Sequence, residues 1–199
     1  MKRFSIFILA AIVLLILVRS AYAFQPNTVR LHKGAVFPKL SGQTITGRSV
    51  SLSGATTDKP IVLVFSFSRT ASKDAQQWND RLAKDFPNTI YAFGVIQLES
   101  APKILRRLAV SGIKSSMPVS AQNRTIMLYR DEELWKQRLA VTDESSAYVV
   151  ALDQPGTIYW INSGVFSDAA YATLKNKIET LLQARPSSRT ASSQSEHVP

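Results

Sequence analysis

Apolar residues recur along the chain with two spacings, one typical of buried strands and one typical of amphipathic helices. Residues 61–67 are apolar except for Ser66, which predicts a strand buried on both faces. The predicted strands are an opening hairpin at 41–52, central strands at 61–67 and 89–98, a short apolar segment at 125–129, and a closing hairpin with arms at 147–152 and 157–162.

Helical spacing follows the first central strand and returns three more times. Ala75, Trp78 and Leu82 lie three or four positions apart, as on one face of a helix. The predicted helices are 73–86, a second that opens at 101–102 and ends at Gly112, a short one at 131–139, and a last one capped by Asp168.

The order of these elements predicts a single α/β domain over residues 34–183. Strands that are joined by helical crossovers pair in parallel, whereas the closing hairpin adds antiparallel strands. The expected architecture is therefore a mixed β-sheet sandwiched by helices, with an N-terminal β-hairpin as an extension.

Both ends of the chain differ from this domain. Positions 2 and 3 are basic, and residues 4–18 are apolar apart from Ser5. Residues 19–23 then place small side chains at the positions that a cleavage site needs. Residues 1–23 are thus predicted to be a signal peptide. The alternative is an uncleaved membrane anchor formed by the segment from Phe4 to Val18. Either way, an exported protein in the periplasm or another extracytoplasmic compartment is expected. Residues 24–33 are predicted as a linker and 184–199 as a disordered tail.

The composition narrows the chemistry, because none of the 199 residues is a cysteine. Disulfides, thiolate metal sites and thiol catalysis are therefore excluded. The two histidines are His32 and His197, so a histidine-based triad or zinc site is not expected. Acidic residues at 131–133 and 143–144 lack the spacing of a calcium loop and are expected to be solvated. The sequence predicts no metal and no cofactor.

The net charge of +10 falls to +7 if the three basic residues of the predicted signal are removed. A basic exported protein can bind anionic lipid, cell-wall polymer or an acidic protein face, and dispersed solvated charges are the simpler alternative. Lys103, Arg106 and Arg107 lie together on one predicted helix as candidates for such a contact. Nucleic acid is not an expected partner, since the sequence has no RNP or helix-turn-helix motif.

Three segments carry a resemblance to known families. The opening Gly34-x-x-Phe37-Pro38-x-Leu40, with Thr46-Gly47-Arg48-x-Val50-x-Leu52 after it, is similar to the start of redoxin and peroxiredoxin-like domains. Residues 64–69 with Trp78, and residues 147–153 with 158–164, resemble the mitochondrial ATP synthase assembly factor family with a degenerate thioredoxin fold.

This resemblance implies a thioredoxin-like fold over residues 34–182. It also implies a non-catalytic role in binding or assembly. The implied partner is a protein, for example one that belongs to a membrane complex such as ATP synthase. The predicted export signal departs from a mitochondrial family and suggests a bacterial relative. A basic module for anionic lipid or polymer, and a divergent enzyme with a non-thiol site, are the alternatives.

Both parts of a thioredoxin redox site are missing from the positions that the resemblance assigns to them. A C-x-x-C pair would occupy residues 71–74, where Ala71 cannot ionise. A cis-proline would precede Ala147, where Ser146 stands instead. A cis bond without proline costs about 2.5–4 kcal/mol, so a trans bond is expected. In this interpretation Ser72 caps the helix and Asp74 is a first-turn carboxylate.

The predicted partner surface is this degenerate redox edge, and no residue is predicted to be catalytic. Its members are Arg69, Thr70, Ala71, Ser72, Lys73, Asp74, Ser146 and Ala147. Arg69 is the candidate for contact with an anion or partner. Trp135 is the candidate exposed aromatic contact, with a cover over the sheet edge as the alternative. Trp78 is expected in the core.

Overall fold

A computed structural model describes residues 29–53 and 57–184. The predicted signal and almost all of the predicted tail lie outside these residues. Contacts divide the chain into two units, residues 1–30 and 31–199, and all described strands and helices belong to the second. Within the described ranges, no helix is long and apolar enough to cross a membrane.

The second unit has the mixed α/β architecture that the sequence predicts. Its elements are β1 (Leu40–Thr44), β2 (Ser49–Leu52), β3 (Ile61–Ser66), α1 (Arg69–Asp85), β4 (Tyr91–Gln97), α2 (Lys103–Ser116), α3 (Val119–Gln122), β5 (Thr125–Leu128), α4 (Glu132–Arg138), β6 (Ala147–Leu152), β7 (Ile158–Gly164) and α5 (Asp168–Gln183).

The seven strands form one sheet in the order β2-β1-β5-β4-β3-β6-β7. The pairs β3–β4 and β4–β5 are parallel, and their crossovers are α1 and α2. The other four pairs are antiparallel. The predicted N-terminal hairpin is confirmed. It extends the sheet itself, because β1 pairs with β5 through Gln43 opposite Met127.

The central strand β3 is buried along its whole length because helices cover both faces of the sheet. Its residues Leu63 and Phe65 belong to one apolar cluster with Trp135 of α4. The alternate residues of β3 pack in a second cluster with Trp78 of α1 and Leu174 of α5. Trp78 has no exposed surface, so its predicted place in the core is confirmed.

Three helix ends differ from the sequence prediction. Helix α1 begins at Arg69, four residues earlier than expected, because the Ser68 hydroxyl accepts the Ala71 N–H at 3.1 Å and caps the helix there. Helix α2 continues through Gly112 to Ser116, since an exposed glycine weakens a helix without ending it. The cap of α5 is Ser167, and Asp168 is its first residue.

The side chain of Gln97, the last residue of β4, is buried without a hydrogen-bond partner among the described residues. A buried amide that has given up water without a replacement lowers the stability of the fold.

We therefore expect Gln97→Leu to raise the free energy of unfolding by about 1–2 kcal/mol, as measured by urea denaturation. Gln43→Leu, on the exposed side of β1, is the matched control and should change it little. A loss of stability in Gln97→Leu would show that the amide is hydrogen-bonded in solution.

Candidate functional site

The predicted redox edge is brought together where four elements meet. The strands β3 and β4 are parallel and end side by side, with Ser66 opposite Ile96. Helix α1 begins three residues after β3 ends. The antiparallel β6 starts at the same edge, because Tyr148 pairs with Phe65. The start of α1 and the residues before β6 are therefore neighbours, as predicted.

Only part of the predicted partner surface is accessible. Arg69, Thr70 and Lys73 are exposed, and Ser72 is half-buried. The remaining members are buried and cannot touch a partner directly: Ala71, Asp74, Ser146 and Ala147. The physical reason is the amphipathic face of α1, whose residues 71, 74, 75 and 78 turn toward the sheet.

Asp74 has a different role from the one predicted. It lies in the second turn of α1, where it is 8% exposed. Its Oδ2 accepts the backbone N–H of Ala147 at 3.0 Å, and its Oδ1 accepts the N–H of Phe166. The carboxylate therefore does not act on the helix end. It ties α1 to the first residue of β6 and to the segment before α5.

The hydrogen bond to Asp74 prevents an extended peptide from pairing with the start of β6; we call this state a closed edge. A peptide that adds to a sheet needs free backbone N–H and C=O groups on the protein. Here the Ala147 N–H is already taken by a buried carboxylate. A partner chain could pair with it only by displacing Asp74 Oδ2, which would leave a buried carboxylate without one of its two donors.

The loop before β6 is held by its own polar network. The Asp143 carboxylate accepts the N–H of Ser145 at 2.8 Å and the hydroxyls of Ser145 and Ser146 at 2.6 and 2.7 Å. These hydrogen bonds, first that of the Ser145 hydroxyl, lower the pKa of Asp143. The Tyr148 hydroxyl accepts the N–H groups of Thr142 and Asp143. The loop is built entirely from trans peptide bonds, as predicted for a site without the proline.

The hydroxyl groups near the start of α1 are also engaged. Ser68 Oγ donates to the Glu144 carbonyl at 2.6 Å while it caps the helix. Ser72 does not cap α1, contrary to the prediction. Its hydroxyl lies 3.0 Å from the Ser68 carbonyl oxygen and 3.3 Å from Ser66 Oγ. These contacts make both serines structural.

A cluster of ion pairs around Lys136 of α4 supports the same loop. Lys136 Nζ lies 2.7 Å from Glu144, 3.0 Å from Glu132 and 3.4 Å from Glu133. The hydrogen bond to Glu144, with help from the other two carboxylates, raises the pKa of Lys136. Glu132 is buried, so the expectation of a solvated charge was wrong for it. Within the described residues no group of acidic or histidine side chains could hold a metal ion.

Trp135 is not the exposed aromatic contact that the sequence suggested. It is 3% exposed, and its ring lies 5.7 Å from that of Phe37 and 5.4 Å from that of Phe65. The alternative, a cover over the sheet edge, is right about burial but not about position, since Trp135 packs on the inner strand β3. The apolar pair Trp135 and Leu139, four residues apart, marks the inner face of α4.

Three residues that hold the loop were not predicted from the sequence: Lys136, Tyr148 and Glu144. No short motif marks them, and the turn that brings them together after α4 has no sequence signal of its own.

The exposed remainder of the edge is positively charged. Arg69 and Lys73 lie one turn apart on α1, and the first turn of this helix contains no acidic residue. Neither forms an ion pair within residues 29–53 and 57–184. The positive end of the helix dipole adds to their field. This side of the edge is suited to an anionic group of a partner.

A second basic region lies at the opposite end of the sheet. A cavity of about 250 Å³ opens beside Tyr91, where β4 begins, and its charged lining residues are Arg48, Lys59 and Arg124. Lys59 stacks over the Tyr91 ring at 5.3 Å. Because it is far along the strands from the degenerate edge, this region offers control positions for charge substitutions.

The fold and the edge define a class: a thioredoxin-like domain in which Ala71 and the buried Asp74 stand where the sequence resemblance assigns the redox pair. The family model of the ATP10 protein matches residues 21–181. The chain therefore belongs to the ATP10 family, the assembly factor family that its motifs resemble. No curated protein sequence matches this chain.

Solved structures with low sequence identity share the fold. A structure described as thiol:disulfide interchange protein DsbE from Chlorobium tepidum has a TM-score of 0.57 at 16% identity, over 76% of this chain and 99% of its own. The thioredoxin domain of a thiol-disulfide oxidoreductase from Bacteroides vulgatus gives 0.53 at 18%, over 74% and 99%. A peroxiredoxin-like protein from Aquifex aeolicus gives 0.51 at 14%, over 76% and 88%. At these identities the likeness establishes the fold alone.

Replacement of Asp74 tests whether its carboxylate holds the edge closed. Asp74→Asn keeps the size of the side chain but turns one acceptor into a donor that faces a backbone N–H. We expect a loss of about 2–4 kcal/mol in the free energy of unfolding, measured by urea denaturation. Asp80→Asn, exposed on the same helix, is the control and should lose less than about 0.5 kcal/mol. Equal effects of the two variants would contradict the role of Asp74.

Proposed function

We propose that this protein is a non-catalytic binding or assembly factor that recognises an acidic segment of a partner protein at the start of α1. The contact residues are Arg69, Thr70 and Lys73. The observation that carries the proposal is the edge itself: its backbone and buried side chains are engaged within the fold, while two unpaired cations remain exposed.

The described residues of this edge support a non-catalytic role. The chain has no cysteine, and Ala71, which stands in the position of the first thiol, is fully buried. The hydroxyls of Ser68 and Ser72 are hydrogen-bonded within the fold. A nucleophile also needs an adjacent base, and the side chain exposed next to Ser72 is a lysine in an unpaired, solvated position.

The mode of binding follows from the closed edge. Because the Ala147 N–H is unavailable, the partner docks on side chains here and does not pair with the start of β6. Arg69 supplies a planar guanidinium that can bind a carboxylate through two hydrogen bonds. Lys73, one turn further along α1, supplies a second charge. Two carboxylates of the partner, spaced by about one helical turn, fit this arrangement.

The family supports a partner in a membrane complex, with ATP synthase as the first candidate. The apolar segment at residues 4–18 and the small residues at 19–23 support export of the domain from the cytoplasm. The factor would therefore act at the outer side of a membrane, where it can reach the exposed segments of a membrane complex.

Charge reversal at the edge tests the proposal. A cross-linking pull-down from intact membranes with the full chain should enrich one membrane complex. Arg69→Glu/Lys73→Glu should lower its recovery more than tenfold, because attraction at two positions becomes repulsion.

Arg48→Glu/Lys84→Glu is the control with the same change in net charge, and both of its positions are exposed away from the edge. It should retain the partner. Equal recovery in both double variants would show that the partner docks elsewhere on the molecule.

A further inference from the structure

Helix α2 differs from the other long helices because it has no buried residue, although it spans 14 positions. Helices α1 and α5 bury five and three residues respectively. On α2, Ile104 is 89% exposed, Leu108 is 70% exposed and Leu105 is 51% exposed. Three large aliphatic side chains in water within five positions are a cost that the fold does not require.

The outward position of these side chains is not caused by poor attachment of the helix. Its other face packs through Val110, Ile113 and Met117 on a cluster that contains Leu98 and Met127. The sheet side of α2 is thus already covered. Ile104 and Leu108 lie on the side that faces away from this cluster, as their spacing along a helix requires.

All charges on α2 have the same sign. Lys103, Arg107 and Lys114 recur at i, i+4 and i+11, so at about 100° per residue they share one flank of the helix. Arg106 is different, since it donates to the carbonyls of Ala101 and Glu99. The three flank residues form no ion pair in the described part of the chain.

The position of Lys103 is informative. It is the first residue of α2, and a cation at a helix N-terminus is opposed by the helix dipole. This helix has no acidic residue in its first turn and no side-chain cap. The dipole favours Lys114, which lies in the last turn, but it does not favour Lys103. An external anionic surface would complement the charge at the start of the helix.

We propose that the outer face of α2 is a docking surface for an anionic lipid bilayer. Ile104, Leu105 and Leu108 would enter the boundary between headgroups and acyl chains, and Lys103 and Arg107 would extend beside them to lipid phosphates. A narrow aliphatic stripe with a one-sided basic flank is the pattern of helices that lie in a membrane interface. This contact is independent of the partner surface on α1.

The basic flank and the residues around the aliphatic stripe favour an anionic lipid surface over a protein groove as the occupant. The outer face of the second half of α2 is formed by small or polar residues, among them Ser111, Gly112 and Ser115, and it carries no aromatic anchor of the kind that dominates protein interfaces. In the uncleaved form of the chain, the apolar segment at residues 4–18 would supply the second attachment that stable membrane binding needs.

The test uses the full chain, whose lack of cysteine makes single-site labelling clean. An environment-sensitive dye on Ser111→Cys reports on the outer face of α2. The same dye on Ala172→Cys, exposed on α5, is the control. Vesicles of phosphatidylcholine, with or without phosphatidylglycerol, are then added. The dye at position 111 should shift to shorter wavelength with the anionic vesicles only, and the dye at 172 should not shift.

Substitutions separate charge from apolar contact. Lys103→Gln/Arg107→Gln should lower the equilibrium constant of the shifted state roughly 30-fold, from about 1 kcal/mol for each charge near an anionic surface. Arg48→Gln/Arg124→Gln, at the opposite end of the sheet, removes the same charge and should leave the shift intact. Ile104→Ser/Leu108→Ser should abolish it.

Two results would overturn the proposal. One is vesicle binding by the full chain without a shift at position 111, which would leave attachment to the rest of the chain. The other is a shift at position 111 only in membranes that contain a protein complex, which would make the occupant a protein. The first result comes from purified lipid alone and so does not depend on the partner proposed for α1. In the second, Arg69→Glu/Lys73→Glu on the labelled chain separates the two surfaces, since loss of the shift in that variant would trace it to the partner of α1.

Discussion

The carboxylate of Asp74 is the interaction on which the degenerate edge depends. It is buried on α1 and accepts backbone N–H groups from Ala147 and Phe166, which lie 73 and 92 residues further along the chain. A buried carboxylate must be satisfied by donors of this kind, and each buried N–H needs an acceptor. The start of α1, the start of β6 and the approach to α5 are therefore fixed to one another by a single side chain.

This constraint explains how a thioredoxin-like fold can persist without cysteine. The positions that the sequence resemblance assigns to a redox site hold internal hydrogen bonds here, and these stabilise the domain. The charged members of this edge that remain accessible are the cations Arg69 and Lys73. Helices α1 and α2 both begin at the carboxyl edge of the sheet and both present unpaired cations there. We therefore propose that one end of the domain meets a protein partner through α1 and the anionic membrane surface through α2.

The sequence predicts local features well and distant contacts poorly. The apolar run of β3 is predictable because both faces of the strand are buried, and the spacing of Trp78 is enough to assign it to the core. The predicted start of α1 is four residues late because Ser68 and Ser72 are equally good caps on paper. The partners of Asp74 and the burial of Trp135 could not be predicted, since both depend on segments that only the folded sheet brings together.

Amide hydrogen exchange at Ala147 tests the closed edge most directly. If the edge is closed, the Ala147 and Phe166 amides stay bonded to a buried carboxylate and open only when the domain unfolds. Their exchange, followed by NMR, should be as slow as that of central β3 residues such as Val64. Exchange of Ala147 within minutes, at the rate of exposed amides, would contradict the closed edge, because it would show an open strand end that can pair with an extended chain.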